Sequence, residues 1–195
     1  MKHEGWTPVA LPANAREKLD RFRELLRDRA IPAGMIASAD AADLEDRHIV
    51  DSLRGVPLIP GSSHDAVDLG SGAGLPGIPL AIALPHLAFT LVDSRRRRVA
   101  FLELVVDDLR LANVAVVGGR VEQLAPGFDV CVARGFAGAA SSWEAAERLL
   151  RPDGRLLYWA GASFEACEVP GNARVLGLGE PALESGGPIV IMARQ

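Results

Sequence analysis

The stretch DAVDLGSGAGLPG, residues 65–77, decides how the rest of this chain is interpreted. Its apolar residues Ala66, Val67 and Leu69 predict a short strand before the glycines. The glycines that follow allow a backbone to bend sharply and to approach a ligand closely. Residues 75–84 then open a predicted helix, with a proline in the first turn, where a missing N–H costs nothing. Strand, glycine loop and helix N-terminus in this order predict a nucleotide-type binding site.

Composition limits the classes of protein to which the chain can belong. Of its 195 residues, 49% are hydrophobic and 24% are charged, so one large domain with a small extension can bury a core. We find no apolar run long enough to span a membrane and no signal peptide, and we therefore expect a cytoplasmic monomer. The net charge of −4 argues against a basic nucleic-acid coat protein but allows a local basic patch. Cys131 and Cys167 are too few for a disulfide framework, and we assign no residue to a metal site.

Helices are predicted before the glycine loop, and strands alternate with helices after it. We expect a helix over 15–29 with Asn14 as its N-cap, and a second helix over 40–53. These two helices form a predicted extension, 1–60, in front of a domain that covers 61–195. In that domain the predicted strands are 67–69, 88–93, 113–117, 128–134, 155–160, 173–178 and 188–192, and the predicted helices are 78–84, 95–111 and 141–150. Such alternation indicates an α/β fold with a parallel sheet covered on both faces.

Three kinds of glycine loop compete for the stretch. A P-loop is excluded, because Ile78 and Pro79 stand where a lysine and a serine or threonine are required. A dinucleotide fingerprint, G-x-G-x-x-G, matches residues 72–77. When the glycines are counted from the end of the strand, however, its third glycine position falls on Leu75. The third candidate is the S-adenosylmethionine loop of class I methyltransferases, D/E-x-G-x-G-x-G, which residues 68–74 resemble.

Two acidic residues bear on that choice. Asp68 precedes the loop, where it would face the cationic amino-acid end of S-adenosylmethionine, and NAD has no such cation. Asp93 ends the second strand and suits a carboxylate that accepts hydrogen bonds from ribose hydroxyls in either cofactor. Asp68 therefore favours a methyltransferase over an NAD(P)-binding oxidoreductase. A cofactor-binding protein without catalysis remains a further alternative.

The motifs RHIVDSL (47–53), DLGSGAGLPGIPL (68–80), LVDS (91–94), GRVE (119–122) and ARGFA (133–137) resemble the RsmG (GidB) family. This is a family of bacterial methyltransferases that modify N7 of a guanine in 16S ribosomal RNA. The resemblance covers about residues 47–161. It implies a Rossmann-like class I methyltransferase fold: a mostly parallel seven-stranded sheet with an antiparallel last strand and helices on both faces. The N-terminal extension is expected to pack over the cofactor end of that sheet.

The resemblance also implies a set of cofactor contacts. Arg134, at the end of the fourth strand, would in addition position the substrate, and we treat it as the candidate catalytic residue. With the residues of the glycine motif included, the expected S-adenosylmethionine contacts are Asp68, Gly70, Gly72, Gly74, Leu75, Asp93, Ser94, Val121, Glu122 and Arg134.

The chain departs from the family pattern at several polar or cationic positions. Residues 34–36 stand near the place of an expected Asn-Leu-Thr, and Ala160 replaces an expected lysine. Near the C-terminus, Gly187 and Ala193 lie around an expected arginine and lysine. These departures leave the cofactor motif intact, and they make a diverged methyltransferase with another substrate the alternative to an rRNA enzyme.

Four consecutive arginines, Arg95, Arg96, Arg97 and Arg98, form the one dense basic run in the sequence. Cations in a first helical turn oppose the helix macrodipole, each by about 0.3–1 kcal/mol. We therefore predict that the run contacts RNA phosphates, assisted by Arg16, Arg23 and Arg27 if these converge on it. For His48 we favour a packing role, and for Asp51 and Ser52 a role in bracing the glycine loop.

Overall fold

The computed structural model of the chain describes residues 11–42, 44–180 and 186–195. The first part of the predicted extension, residues 1–10, lies outside the described residues. No helix within the described ranges is long and apolar enough to cross a membrane.

Helix α1 (Ala15–Leu25) continues into a π-helical segment, Leu26–Ala30, so the predicted first helix is confirmed. The predicted cap is wrong: Asn14 has a φ of 64° and makes no capping hydrogen bond through its side chain. Instead, the Ala15 N–H donates to the Pro12 carbonyl at 3.1 Å. A backbone turn therefore satisfies one of the N–H groups that the start of a helix leaves without an intrahelical partner.

The predicted second helix is helical but not uniform. A 3₁₀ segment over Ser38–Ala42 precedes a π-helical segment over Leu44–Val50, and α2 (Asp51–Leu53) completes it. A further 3₁₀ turn, Val56–Leu58, leads to the first strand. Leu44, Ile49 and Leu53 are buried, so tertiary packing maintains the helical path through these changes of type.

A seven-stranded sheet forms the centre of the molecule, with the strand order β3-β2-β1-β4-β5-β7-β6. Only β7 runs antiparallel to its neighbours, β5 and β6. The prediction of a mostly parallel seven-stranded sheet with an antiparallel last strand is confirmed. The strands are β1 (Asp65–Leu69), β2 (Ala88–Asp93), β3 (Val114–Gly118), β4 (Phe128–Arg134), β5 (Leu150–Trp159), β6 (Ala173–Gly179) and β7 (Ile189–Arg194).

The start of β5 differs from the prediction. We expected residues 152–154 to form a turn before a strand at 155, but β5 already begins at Leu150. Its register against β4 shifts from Phe128↔Leu150 to Val130↔Arg155, so the extra residues are accommodated as an irregularity inside the strand.

Helices cover both faces of the sheet: α3 (Gly77–Ala83), α4 (Arg96–Asp108) and α5 (Ala139–Leu149). One apolar cluster joins α1, α3 and α4 to one face, and it includes Phe22, Leu80 and Leu102. Another joins α5 to the opposite face around Trp143, which is 1% exposed. The N-terminal helices therefore share a core with the sheet, while the proposed boundary at residue 60 stays a prediction.

Strand order reverses between β1 and β4, which are neighbours in the sheet but far apart in the chain. In open α/β sheets the carboxyl ends of the strands at such a switch point form a crevice for ligands. The glycine loop follows β1 and Arg134 ends β4, so the predicted site residues lie at this crevice.

Candidate functional site

The glycine loop is held to β2 by a serine that the sequence analysis did not single out. The Ser71 hydroxyl donates to the Asp68 carbonyl at 3.0 Å and accepts the Val92 N–H at 3.0 Å. The Ser71 N–H donates to the Val92 carbonyl at 2.8 Å. Ser71 thus ties the glycine loop to both β1 and β2.

Two loop glycines are required by different constraints. Gly70 has a φ of +66°, and a Cβ there would lie 2.6 Å from the Phe136 ring. At Gly77 a Cβ would lie 2.4 Å from a Leu91 methyl group and 2.6 Å from Oδ2 of Asp68. Neither position tolerates a side chain, because the Phe136 ring approaches Gly70 too closely and side chains of β1 and β2 approach Gly77 too closely.

Asp68 lies beneath the loop and is 1% exposed. Its Oδ2 accepts the Gly77 N–H at 3.0 Å, at the start of α3. Its Oδ1 is buried and has no hydrogen-bond partner among the described residues. Burial raises the pKa of this carboxyl to about 7, and the nearby Asp93 acts in the same direction. The visible role of Asp68 is to join strand to helix, and Oδ1 is the atom that retains capacity for a further donor.

Asp93 is 4% exposed, and its carboxylate accepts hydrogen bonds from the glycine loop and from the start of α4. Oδ1 accepts the Arg95 N–H at 2.8 Å, and Oδ2 accepts the Gly72 N–H at 3.0 Å. The Arg98 guanidinium lies 3.3 Å from Oδ2. A carboxylate offers about four lone-pair sites. The backbone donors and Arg98 therefore leave Asp93 room for about one more donor.

Two cavities flank the loop. The first has a volume of about 360 Å³, and the second a volume of about 300 Å³. Gly70, Arg98 and Gly135 line both, so Arg98 stands where the two cavities meet. The first cavity is lined by the predicted residues Asp93, Ser94, Val121 and Glu122. The second is lined by the predicted residues Gly72, Leu75 and Arg134.

Asp68 and Gly74 line neither of these two cavities. Gly74 instead closes the loop: its N–H donates to the Ser71 carbonyl at 2.7 Å. The positive φ of Gly74, +85°, and the 2.6 Å approach of Ile78 to a Cβ at this position explain why a glycine is needed. For both residues the structure supports a role in shaping the loop.

Arg134 is held by the N-terminal helical segment rather than by the sheet that carries it. One guanidinium nitrogen donates to the Arg47 carbonyl at 3.0 Å and to Nδ1 of His48 at 2.9 Å. The other lies 3.4 Å from a carboxylate oxygen of Asp51. The expectation that the N-terminal extension packs over this end of the sheet is met at Arg134.

His48 belongs to a polar network, so the packing role that we favoured is incomplete. Its Nε2 lies 3.1 Å from the Asp40 carboxylate. Because Arg134 can only donate, Nδ1 of His48 must accept, and the ring proton sits on Nε2. Burial and then the charge of Arg134 lower the His48 pKa, so the ring is neutral at neutral pH. Asp40 was missed because it gains its role only through this contact.

Asp51 and Ser52 do not brace the glycine loop as predicted. Asp51 pairs with Arg54 and Arg134, and the Ser52 hydroxyl donates to the His48 carbonyl at 2.6 Å. Both residues stabilise the helical segment and its attachment to β4. The helix-like periodicity of this segment could not reveal which charged partner would come from β4.

A third cavity, of about 280 Å³, adjoins the site on the β5 side. Arg47, Asp51, Arg134 and Trp159 line it, and small residues at 160–162 and 186–187 complete its wall. Two of the positions where the chain departs from the family pattern, Ala160 and Gly187, lie together in this wall. A Cβ on Gly187 would approach the Ala160 carbonyl oxygen to 2.1 Å, so no larger residue fits there in this backbone.

The arginine run divides into two parts. Arg95, Arg96 and Arg97 are exposed around the start of α4, whereas Arg98 turns inward to Asp93. The convergence of Arg16, Arg23 and Arg27 on the run stays a prediction. Arg21 of α1 pairs with Asp108 at the other end of α4, and Arg27 pairs with Asp28. Given its 13 residues, α4 separates its two ends by about 20 Å.

Comparison with known proteins finds relatives of this chain in one family. The sequence model of the family described as rRNA small subunit methyltransferase G (GidB) matches residues 15–174. A protein of Acidiphilium cryptum named ribosomal RNA small subunit methyltransferase G is 40% identical over 76% of this chain and 69% of its own. A protein of the same name from Methylococcus capsulatus is 39% identical over 77% of this chain and 74% of its own.

Solved structures support the fold. A crystal structure of a SAM-dependent methyltransferase from Aquifex aeolicus superposes with a TM-score of 0.60 at 16% identity. The match covers 83% of this chain and 97% of that protein. The architecture is therefore a Rossmann-like class I methyltransferase fold.

Proposed function

We infer the activity of this chain from the family to which it belongs, the rRNA small subunit methyltransferase G (GidB) family. We propose that it uses S-adenosylmethionine to methylate N7 of a guanine in 16S ribosomal RNA. The observation that carries the proposal is a glycine loop between two cavities, one beside Asp93 and the other beside Arg134. Action on the small ribosomal subunit, a monomeric state and a cytoplasmic location remain predictions.

The residues around the first two cavities fit S-adenosylmethionine. When bound, this cofactor supplies a methyl group on a positively charged sulfur. The carboxylates of Asp93 and Glu122 and the apolar side chains of Val121 and Phe136 suit the hydroxyls and the ring of a nucleoside. The cationic end of the same molecule would in turn favour the ionised form of the Asp68 carboxyl beneath the loop, whose Oδ1 has no partner among the described residues.

Methylation at guanine N7 places modest chemical demands on the protein. N7 carries a lone pair and no proton at neutral pH, so no side chain has to act as a general base. The protein must align N7 with the methyl carbon and exclude misplaced substrates, and such positioning can lower a barrier by several kcal/mol. Arg134, held on two sides by the N-terminal segment, is suited to position substrate or cofactor there.

A diverged methyltransferase with another substrate is the second candidate. Ala160 and Gly187 in the wall of the third cavity favour this candidate, because the family pattern has a lysine at the first position and an arginine around the second. An NAD(P)-binding oxidoreductase gains no support from the matches described above.

Two measurements test the proposal. Titration calorimetry should detect binding of S-adenosylhomocysteine and none of NADH; binding of NADH alone would contradict a methyltransferase. Mass mapping of 16S ribosomal RNA from a deletion strain should then show the loss of one N7-methylguanosine, restored by this chain. An unchanged N7-methylguanosine content would point to the diverged substrate.

A further inference from the structure

The third cavity has no part in the cofactor site proposed above, although it adjoins that site. Arg134 lines both the second and the third cavities, so a ligand in each would meet at one guanidinium. Methyl transfer requires the acceptor to lie in contact with the donor. A methyl acceptor bound in the third cavity would adjoin the cofactor site, so it would meet the donor more readily than an acceptor bound elsewhere on the surface.

The third cavity is suited to a single base. Enzymes that modify a base inside nucleic acid turn it out of its stack into a pocket. A volume of about 280 Å³ corresponds to roughly nine water molecules at about 30 Å³ each, enough for one purine ring system. Trp159, which is 6% exposed, supplies an apolar wall, and its indole N–H donates to the Asp51 carbonyl at 3.0 Å.

Asp51 gives the third cavity a chemical preference. Its Oδ1 pairs with Arg54 and its Oδ2 lies 3.4 Å from Arg134, so the carboxylate keeps about two of its four lone-pair sites. Guanine presents two neighbouring donors, N1–H and N2–H₂, on one edge, whereas adenine presents an acceptor at N1. With that edge on Asp51, N7 lies on the opposite side of the purine and makes no contact with the Asp51 carboxylate.

We propose that the third cavity binds the target guanine, with Asp51 accepting hydrogen bonds from its N1–H and N2–H₂ groups. The proposal rests on the proposed function and extends it by assigning the base pocket and the residue that selects guanine. Arg54 and Arg134 hold the Asp51 carboxylate from two sides, which pre-organises it for this contact.

A pair of neighbouring substitutions tests the pocket. Ala162 is exposed and lines the third cavity; Ser163 is equally exposed and lies outside its lining. In Ala162→Trp the indole should fill the cavity and lower kcat/KM for methylation of small ribosomal subunits at least tenfold, with affinity for S-adenosylhomocysteine within twofold of wild type. Ser163→Trp should match wild type in both measurements.

The outcomes separate the pocket from the proposed function. If wild type methylates the subunit and Ala162→Trp does so equally well, the base pocket is overturned while the function stands. Loss of S-adenosylhomocysteine affinity together with activity would also overturn a separate pocket. If wild type leaves the RNA unmethylated, both proposals fail.

Asp51→Asn tests the selection of guanine. Subunits reconstituted with inosine at the target position lack the N2 amino group, and wild type should methylate them at least tenfold more slowly. Asp51→Asn should lose most of this discrimination. Because it also loses the charge that pairs with Arg54 and Arg134, its melting temperature should fall, and the ratio of the rates on the two RNAs is measured well below that temperature. A merely structural role for Asp51 would lower activity equally on both RNAs.

Discussion

Asp93 links the glycine loop, the start of α4 and the first cavity through one carboxylate. Its replacement by alanine removes the acceptor for two backbone N–H groups as well as the expected contact with ribose. We expect Asp93→Ala to abolish detectable binding of S-adenosylhomocysteine in calorimetry. Unchanged affinity would mean that the ribose is bound elsewhere, and a circular dichroism melt should establish that the variant remains folded.

Arg98 competes with the ribose for Asp93. The carboxylate has room for about one more donor while Arg98 stays 3.3 Å away, and two ribose hydroxyls require two sites. Arg98 is partly exposed, so displacing it costs at most about 1 kcal/mol. Arg98→Ala should therefore bind S-adenosylhomocysteine about two- to fivefold more tightly in calorimetry, and a weaker complex would show instead that Arg98 contacts the cofactor.

Asp68 makes stability depend on pH in an unusual direction for a carboxyl group. Its folded-state pKa of about 7 lies above its ordinary value of 3.8, so the folded protein holds a proton that the unfolded chain releases. Stability should fall as pH rises from about 4 to 7 and change no further above that range. In urea titrations across this range, the free energy of unfolding should decline by roughly 2–4 kcal/mol less in Asp68→Asn than in wild type. The amide oxygen of the asparagine still accepts the Gly77 N–H.

An identical pH dependence in wild type and Asp68→Asn would mean that Asp68 stays ionised in the folded protein. The comparison isolates this residue, because every other titrating group is present in both proteins.

At the scale of elements, the start of α4 combines two properties of a phosphate-contact surface. Arg95, Arg96 and Arg97 are exposed there. Arg98 pairs with Asp93, whereas these three side chains pair with no acidic residue in the part of the chain that the structure describes. Replacing all three by glutamine should weaken binding to small ribosomal subunits and reduce its salt dependence, by about one unit of slope for each lost phosphate contact.

The same triple replacement should not destabilise the helix, because it removes cations from the start of α4. Arg174→Gln, which removes an exposed arginine from the edge strand β6, is the matched control and should keep the wild-type salt slope. An unaltered slope in the triple variant would move the RNA surface away from α4.

At the scale of the whole molecule, the N-terminal helices and the sheet are built around a common core. Phe22 of α1 is fully buried in the cluster that contains Leu80 of α3 and Leu102 of α4. Phe22→Ala should destabilise the entire chain by about 3–5 kcal/mol, because a large core side chain is lost. Urea unfolding followed by circular dichroism and by tryptophan fluorescence should give one coincident transition.

A separate early transition for the N-terminal part would contradict the shared core. Leu104→Ala serves as the control, because Leu104 is 41% exposed and its truncation should cost less than about 1 kcal/mol.

Local patterns in the sequence were enough to determine the order and type of the main elements. The alternation around β2 and β4 predicted both strands to the residue, and the glycine stretch predicted the loop between β1 and α3. These features depend on neighbours in the chain, where periodicity and glycine content carry the information. Boundaries failed where distant contacts decide them, as at the start of β5 and at the mixed helical segment before α2.

The sequence by itself thus determined the fold class, the glycine loop and several of the residues that line the first two cavities. Only the tertiary structure decided what those residues contact. Arg98 closes on Asp93, and Arg134 contacts His48 across 86 positions of chain. The third cavity forms between a helix, β4 and the ends of β5 and β7. No local propensity encodes such contacts, because they depend on which strands become neighbours and on how closely the helices pack against them.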